Sequence, residues 1–201
     1  MADLSREIIV AVNSGQIDAV RDWLENGGDV NAEDWKGRTL LQRAAAHNHG
    51  NMVDLLLMAG AELDGNAKDR RSPLHCAVRN HHLDMVKKLL QNGAGIDART
   101  STDQTPLHLA ISDDDMEMVD LLLAAGANVN ARSLSGRTLL HLSVSTNISM
   151  VERLLMAGAD TSLQDRYGRT AEDAAEGAGR FQMAEMIRNF NVPDVKEPET
   201  E

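Results

Sequence analysis

Residues 103–131 read DQTPLHLAISDDDMEMVDLLLAAGANVNA, and this stretch decides the fold of the chain. A helix is expected to begin after Thr105, because a threonine hydroxyl accepts hydrogen bonds from the first backbone N–H groups of a helix and Pro106 suits the first turn. Apolar residues then recur with helical spacing in two runs, and Gly126 is typical of the residue that follows a helix. The stretch therefore predicts two short helices joined by a turn.

Two landmarks of this unit return along nearly the whole chain. The residue before the first helix returns in steps of 33, 33, 33 and 32 residues, at Thr39, Ser72, Thr105, Thr138 and Thr170. The glycine after the second helix returns in the same steps, at Gly27, Gly60, Gly93, Gly126 and Gly158. Since both landmarks share one period, the sequence predicts a stack of repeated units in place of one globular core.

The composition excludes several classes of protein. The chain is 42% apolar, too much for a disordered protein, and no apolar run approaches the roughly 20 residues of a membrane-spanning helix. Its net charge of -11 opposes binding to DNA. Residues 1–6 lack the apolar core of a secretory signal, and Cys76, the only cysteine, leaves no intrachain disulfide. We expect a monomer in the cytoplasm, and also in the nucleus, that binds neither DNA nor membranes.

The repeated residues closely resemble the ankyrin repeat, whose Thr-Pro-Leu-His, Leu-Leu-Leu and Gly-Ala-x-Val-Asn-Ala motifs are matched within residues 103–131. The resemblance covers roughly residues 2–191 and implies an all-α solenoid of stacked helix-turn-helix units joined by hairpin loops. It also implies a concave face formed by the hairpins and the first helices. Residues 192–201, rich in Pro and Glu, are expected to be a disordered acidic tail. A single domain is expected over residues 1–191, with repeats at about 1–32, 33–65, 66–98, 99–131, 132–162 and 163–191.

The fifth repeat departs from the pattern, because it is one residue shorter between its helices, around residues 145–148. This predicts a distorted turn. The first and last units carry many charged residues, as the solvent-facing ends of a stack do.

Histidines recur in two sets. His75, His108 and His141 occur once per repeat, a spacing too wide for one zinc ion, and the resemblance implies that they are structural hydrogen-bonding groups. The second set falls on the turns of the second and third repeats, at His47, His49, His81 and His82. This set suits a transition-metal site, a pH-sensitive element or ordinary turn chemistry, and the sequence favours the last of these.

Residues 113–115 are three adjacent aspartates that lack the alternating ligands of a calcium loop. We expect Asp115 to cap the second helix and Asp114 to adopt a left-handed turn conformation. Cys76 takes a position usually filled by an apolar residue, so we expect an inert, packed thiol. No catalytic motif is present, and we predict a chain that is not an enzyme and needs no metal or cofactor.

A binding surface remains. The residue before the Thr of a repeat is arginine at Arg38, Arg71, Arg137 and Arg169. These arginines either form a groove for an acidic or phosphorylated segment or pair with acids of the same hairpins. The resemblance assigns the following residues to the partner-binding concave face: Trp35, Lys36, Arg38, His47, Lys68, Arg71, Arg79, Asn80, Gln104, Ser112, Asp113, Leu134, Arg137, Arg166, Tyr167 and Arg169.

The function predicted from the sequence is that of a non-catalytic scaffold or adaptor that binds another protein through this face. The alternative is a binder of small phosphorylated or nucleotide-like ligands, held by the same arginines.

Overall fold

A computed structural model describes residues 5–64 and 71–190 of the protein. These ranges contain α-helices and no β-strand, which confirms the all-α prediction. The helices are α1 (Arg6–Asn13), α2 (Ile17–Glu25), α3 (Leu40–Ala46), α4 (Gly50–Met58), α5 (Pro73–Arg79), α6 (Leu83–Gln91), α7 (Pro106–Ser112), α8 (Met116–Ala124), α9 (Leu139–Ser143), α10 (Ile148–Met156), α11 (Ala171–Gly177) and α12 (Phe181–Asn189).

The first helix of a pair begins where the repeated Thr or Ser predicts. At the start of α3, the Thr39 hydroxyl accepts a hydrogen bond from the Gln42 backbone N–H at 3.3 Å, and the Gln42 side-chain oxygen accepts one from the Thr39 N–H at 2.9 Å. This reciprocal pair satisfies two backbone donors that a helix N-terminus otherwise leaves without partners. The same capping box, with a different third residue, begins α5, α7, α9 and α11.

Short turns join the helices of each pair and depend on the left-handed conformation. Gly15, Asn48, His81 and Asp114 occupy one position of these turns, and their φ angles are 70°, 59°, 56° and 53°. The prediction for Asp114 is therefore confirmed. In the fifth pair, α9 ends at Ser143 and no residue of the turn at 144–147 has positive φ, which confirms the predicted distortion.

The chain divides into two compact units, Met1–Asn128 and Val129–Glu201. In the first unit, α1, α3, α5 and α7 pack in succession, and α2 packs against α4. The core between these helices is almost wholly aliphatic, with Leu40, Leu74 and Leu107 fully buried. The second unit repeats the arrangement on a smaller scale, with α9 against α11 and α10 against α12. The single domain and the repeat boundaries stay predictions.

Within residues 5–64 and 71–190, no helix has the length and apolar character needed to cross a membrane. Two predictions fall on other parts of the chain: the acidic tail at 192–201 and the binding role of Lys68 lie outside the described residues.

Candidate functional site

A buried carboxylate shapes the first described hairpin. Asp34 Oδ1 accepts hydrogen bonds from the backbone N–H groups of Lys36 at 2.7 Å and Arg38 at 3.0 Å, so the side chain closes the loop onto itself. Its Oδ2 accepts from Arg38 Nε at 3.2 Å and from the guanidinium of Arg43 on α3. Gly37, at φ 72°, allows the chain to reverse between these contacts.

The second unit contains the same arrangement of hydrogen bonds, centred on Asp165. Asp165 Oδ1 accepts from the backbone N–H groups of Tyr167 at 2.8 Å and Arg169 at 3.1 Å. Its Oδ2 accepts from Arg169 Nε at 3.2 Å and Nη2 at 2.9 Å. Sequence reasoning missed both aspartates, although the shared motif Asp-x-x-Gly-Arg-Thr at residues 34–39 and 165–170 is a signal that identifies them.

These contacts determine the charge of both carboxylates. Burial alone would raise the pKa of Asp34, but hydrogen bonds from the Arg38 and Lys36 backbones and the guanidinium of Arg43 outweigh it and lower the pKa. In Asp165 the same opposition, with Arg169 as the cation, lowers the pKa to about 2. Both hairpins are therefore closed by ionised aspartates at neutral pH.

Each closed hairpin presents an exposed aromatic side chain. Trp35 is 61% exposed, with the Arg43 guanidinium 5.8 Å from its ring centroid. Tyr167 is 69% exposed, with the guanidinium groups of Arg169 and Arg166 at 5.2 Å and 5.8 Å from its ring. Both rings are therefore exposed to solvent while lying within cation–π distance of arginine side chains.

The histidines that recur once per repeat are structural, as predicted. His75 Nδ1 accepts a hydrogen bond from the Ser72 backbone N–H at 3.2 Å, so the proton lies on Nε2, which donates to the Gln104 carbonyl at 3.1 Å. His141 Nε2 donates in the same way to the Arg169 carbonyl at 2.9 Å. Gln42 takes the place of histidine in α3, and its amide donates to the Arg71 carbonyl.

His108 differs from His75 and His141 in the hydrogen bonding of its Nε2 atom. Its Nδ1 accepts from the Thr105 N–H at 3.1 Å, but its buried Nε2 has no hydrogen-bond partner among the described residues. Burial, aided by the positive charge of Arg99 and by the neighbouring His75, lowers the pKa of His108 to about 4. Burial also lowers the pKa of His141, against the opposing effects of the Arg169 carbonyl and Asp165. Both rings are therefore neutral at physiological pH.

The histidines of the turns are engaged mainly with the polypeptide. His49 Nε2 lies 2.8 Å from the Asn13 carbonyl and His82 Nε2 lies 3.1 Å from the Ala46 carbonyl. His81 Nδ1 contacts Asp115 Oδ2 at 2.7 Å. His47 is exposed, with its ring centroid 6.0 Å from that of His49. No group of three His, Cys, Asp or Glu side chains within the described ranges is arranged to hold a metal ion.

The aspartate triplet serves the turn before α8. Asp115 Oδ1 accepts a hydrogen bond from the Met118 backbone N–H at 3.0 Å, which confirms the predicted cap. Asp113 is exposed beside it.

A pocket of about 310 Å³ in the first unit brings together part of the predicted binding surface. The described residues contribute three guanidinium groups and no carboxylate to its wall, and the lining residues are Arg38, Gln42, Ala46, Arg71, His75, Cys76, Arg79 and Asn80. Four residues predicted to bind a partner therefore share one concavity, namely Arg38, Arg71, Arg79 and Asn80.

The pocket arginines are bound to different extents. Arg38 uses its Nε for Asp34 at 3.2 Å, and its side chain is 42% exposed. Arg79, the last residue of α5, is exposed, and its side chain makes no hydrogen bond or ion pair with any other described residue. Asn80 follows it and donates its amide to the Cys76 carbonyl at 2.8 Å.

The prediction of a packed Cys76 thiol is wrong. Cys76 is only half-buried and lies on the pocket wall, because its position on α5 is on the side of that helix that borders the pocket. The neighbouring Ala77 and Val78 face the packed helices and are buried.

The remaining predicted binding residues do not line this pocket. Trp35, Lys36 and His47 are exposed in the first unit, as are Ser112 and Asp113, while Gln104 is half-buried. In the second unit the predicted residues are all exposed: Leu134, Arg137, Arg166, Tyr167 and Arg169. Of the four arginines that precede a Thr, Arg38 and Arg169 pair with the aspartates of their own hairpins, as the second interpretation predicted.

Comparison with known proteins gives a consistent result. The family model for ankyrin repeats (3 copies) matches residues 8–100 and 95–165. The B-cell lymphoma 3 protein homolog of Mus musculus is 45% identical over 67 residues, which are 33% of this chain and 15% of that protein. The GA-binding protein subunit beta-1 of Homo sapiens is 34% identical over 72 residues, 36% of this chain and 18% of that protein. The matched stretch is therefore less than a fifth of the length of these relatives.

Proposed function

Because this chain belongs to the ankyrin-repeat family, we propose that it is a non-catalytic scaffold that binds a partner protein through hairpin loops and first helices. Ankyrin repeats generally mediate protein–protein interactions, and one relative is named as the subunit of a GA-binding protein. That name supports a protein as the partner.

The observation that carries the proposal is the arginine-lined pocket of the first unit. Arginine and exposed aromatic residues are the side chains that dominate protein interfaces, and Arg38, Arg71 and Arg79 share the pocket while Trp35 projects from the hairpin that supplies Arg38. Asp34 fixes this hairpin before any partner arrives. A preformed surface loses little conformational entropy on binding.

The second unit supports the proposal separately. Tyr167 stands exposed between Arg166 and Arg169, and Leu134 is exposed on the other hairpin of this unit. These side chains supply a further set of aromatic, apolar and cationic contacts for a partner.

The test compares two triple variants of the immobilised protein in extracts of its native cell. Trp35→Ala/Arg38→Ala/Arg71→Ala changes the candidate surface, and Arg21→Ala/Met58→Ala/Lys87→Ala removes exposed side chains from α2, α4 and α6 as the matched control. We expect the first variant to lose the proteins that the wild type captures and the control to retain them. Circular dichroism and the melting temperature check that both variants fold. Retention by the first variant, or loss by the control alone, contradicts the proposal.

A small phosphorylated or nucleotide-like ligand is the second candidate, because the described lining of the pocket is cationic and includes no carboxylate. A ligand that binds only the folded state raises the melting temperature with its concentration. Screening nucleotides and inositol phosphates separates the candidates: a saturable rise supports the small ligand, and the protein-partner proposal predicts none.

The proposal includes a monomer that acts in the cytoplasm or the nucleus without contacting DNA. Its net charge of -11 supports the last point, since the chain as a whole repels a phosphate backbone.

A further inference from the structure

The charge distribution around the pocket of the first unit is unusual for so acidic a chain. Asp and Glu outnumber Lys and Arg by 31 to 20, yet among the described residues the pocket wall contains Arg38, Arg71 and Arg79 and no acidic side chain. The carboxylate of Asp34 contacts Arg38, but it is buried within the hairpin and also binds Arg43. The described part of the wall is therefore a local cationic surface, and Asp34 is not among its lining residues.

The pocket can supply many hydrogen-bond donors. A guanidinium group has five N–H donors, and Arg79 uses none of them for another described residue. Arg38 uses only Nε for the rest of the described chain, so its two terminal nitrogens remain available for a ligand. A phosphate monoester, with a charge near -2 and three terminal oxygens, matches several guanidinium groups, whereas one carboxylate is satisfied by a single bidentate arginine.

The lining of the pocket also indicates which kind of molecule carries the phosphate. A nucleotide base needs an aromatic face for stacking, and the only ring that the described residues contribute to the wall is that of His75, whose nitrogens are engaged by Ser72 and the Gln104 carbonyl. The pocket volume of about 310 Å³ corresponds to roughly ten water molecules, enough for a phosphorylated side chain and adjoining backbone.

We infer that this pocket binds a phosphorylated serine or threonine of a partner protein, with the Arg79 guanidinium as its principal contact and Arg38 as a second. The inference rests on the proposed function and adds the chemical signal that the partner must carry. Phosphorylation of the partner then acts as a switch, because the unmodified hydroxyl has neither the charge nor the acceptors to engage the two arginines.

A peptide experiment tests the phosphate directly. A tryptic digest of a native-cell extract is passed over the immobilised full chain, and retained peptides are identified by mass spectrometry. We expect phosphoserine and phosphothreonine peptides to be enriched about tenfold or more, the effect of losing a charge-assisted hydrogen bond. Arg79→Ala removes this enrichment, Arg79→Lys retains part of it because the charge remains without the planar fork, and Arg21→Ala on α2 retains it fully. Equal enrichment by wild type and Arg79→Ala overturns the inference.

A second experiment separates this inference from the proposed function. Intact proteins are captured from the extract before and after phosphatase treatment. Loss of capture after treatment supports the phosphate signal. Capture that survives phosphatase and Arg79→Ala, but is lost in Trp35→Ala/Arg38→Ala/Arg71→Ala, leaves the proposed function standing and overturns the phosphate signal. Displacement of phosphopeptides by free O-phosphoserine at the same concentration as peptide also overturns it, since the ligand would then be a small molecule.

Discussion

At the scale of single residues, Asp34 and Asp165 each tie a loop to itself and to an arginine. In both cases one carboxylate oxygen accepts from backbone N–H groups and the other from a guanidinium. A neutral side chain cannot satisfy both sets equally well, because hydrogen bonds to a charged acceptor are the stronger ones. The protonation state of these residues is therefore linked to the stability of their loops.

Replacement of Asp165 by Asn tests this link. The pKa of Asp165 is about 2 in the folded protein and about 3.9 for an aspartate in an unfolded chain, so the unfolded state binds the proton more tightly. Its contribution to stability is present above pH 4 and is lost as the pH falls towards 2. We expect Asp165→Asn to be less stable than wild type at pH 7 and to lose less stability between pH 4 and 2 in urea titrations.

The control for this experiment is Asp18→Asn, since the Asp18 side chain is 92% exposed and Arg21 is its one ion-pair partner among the described residues. It is expected to follow the wild-type pH dependence. Equal slopes for Asp165→Asn and wild type would show that Asp165 does not couple the loop to pH.

Cys76 reports the electrostatic field of the pocket. It is half-buried among the pocket arginines and is the only thiol of the chain, so alkylation gives one signal. Iodoacetate is an anion and iodoacetamide is neutral. We expect the ratio of their rates with Cys76 to be higher in the folded protein than in urea, and to fall in Arg79→Ala, because the arginines attract the anion. A ratio that is the same in all three samples contradicts a cationic pocket.

At the scale of elements, the turn between paired helices contains one position that requires the left-handed backbone conformation. Gly15, Asn48, His81 and Asp114 all adopt positive φ there, and only glycine does so without steric cost. In the first pair the position is also crowded, because a Cβ on Gly15 would lie 3.3 Å from the ring of His49.

Gly15→Ala is therefore expected to destabilise the protein by roughly 1–2 kcal/mol, the cost of placing a Cβ in the left-handed region. Gly177→Ala is the matched control, since this glycine ends α11, has no positive φ, and a Cβ there meets nothing within 4 Å. The control is expected to be neutral or slightly stabilising. The free energies of unfolding from urea titrations give the comparison, and equal values for the two variants would rule out turn strain.

At the scale of the whole molecule, the net charge is negative, whereas the pocket of the first unit is lined by positively charged side chains. The net charge of -11 favours solubility and disfavours contact with other acidic molecules, while the pocket of the first unit presents arginines to them. Binding of an acidic segment must therefore depend on short-range attraction that acts against a repulsive background.

Varying the salt concentration tests the balance between attraction at the pocket and repulsion by the net charge. Raising the ionic strength from about 0.05 M to about 0.5 M screens exposed charges, so we expect the retention of phosphopeptides to fall while the melting temperature changes little. The aliphatic core accounts for this insensitivity of the fold, because apolar burial does not depend on charge. Retention that is constant over this range would indicate apolar recognition in place of charge.

Features governed by local sequence were predictable, and features governed by packing were not. The capping residues, the left-handed Asp114 and the hydrogen-bonding histidines follow from one repeated motif, and each was predicted. Asp34 and Asp165 are an exception, since both were missed although most of their contacts lie within the local motif Asp-x-x-Gly-Arg-Thr. Only the contact of Asp34 with Arg43 depends on the packing of α3 against the hairpin. Identical motifs also hide differences: Pro-Leu-His occurs at both His75 and His108, yet only the first Nε2 has a described acceptor.

The acceptors of the repeated side chains Gln42, His75 and His141 have one further consequence. Each donates to a backbone carbonyl, at Arg71, Gln104 and Arg169, and these residues directly precede the capping Ser or Thr of the next repeat. Every amino acid has the same backbone carbonyl. The hydrogen bond that joins neighbouring repeats therefore does not depend on which side chain occupies that position. Mutation can therefore exchange arginine for glutamine at the residue before the capping Ser or Thr and alter what the surface recognises, while the hydrogen bond between the repeats is kept.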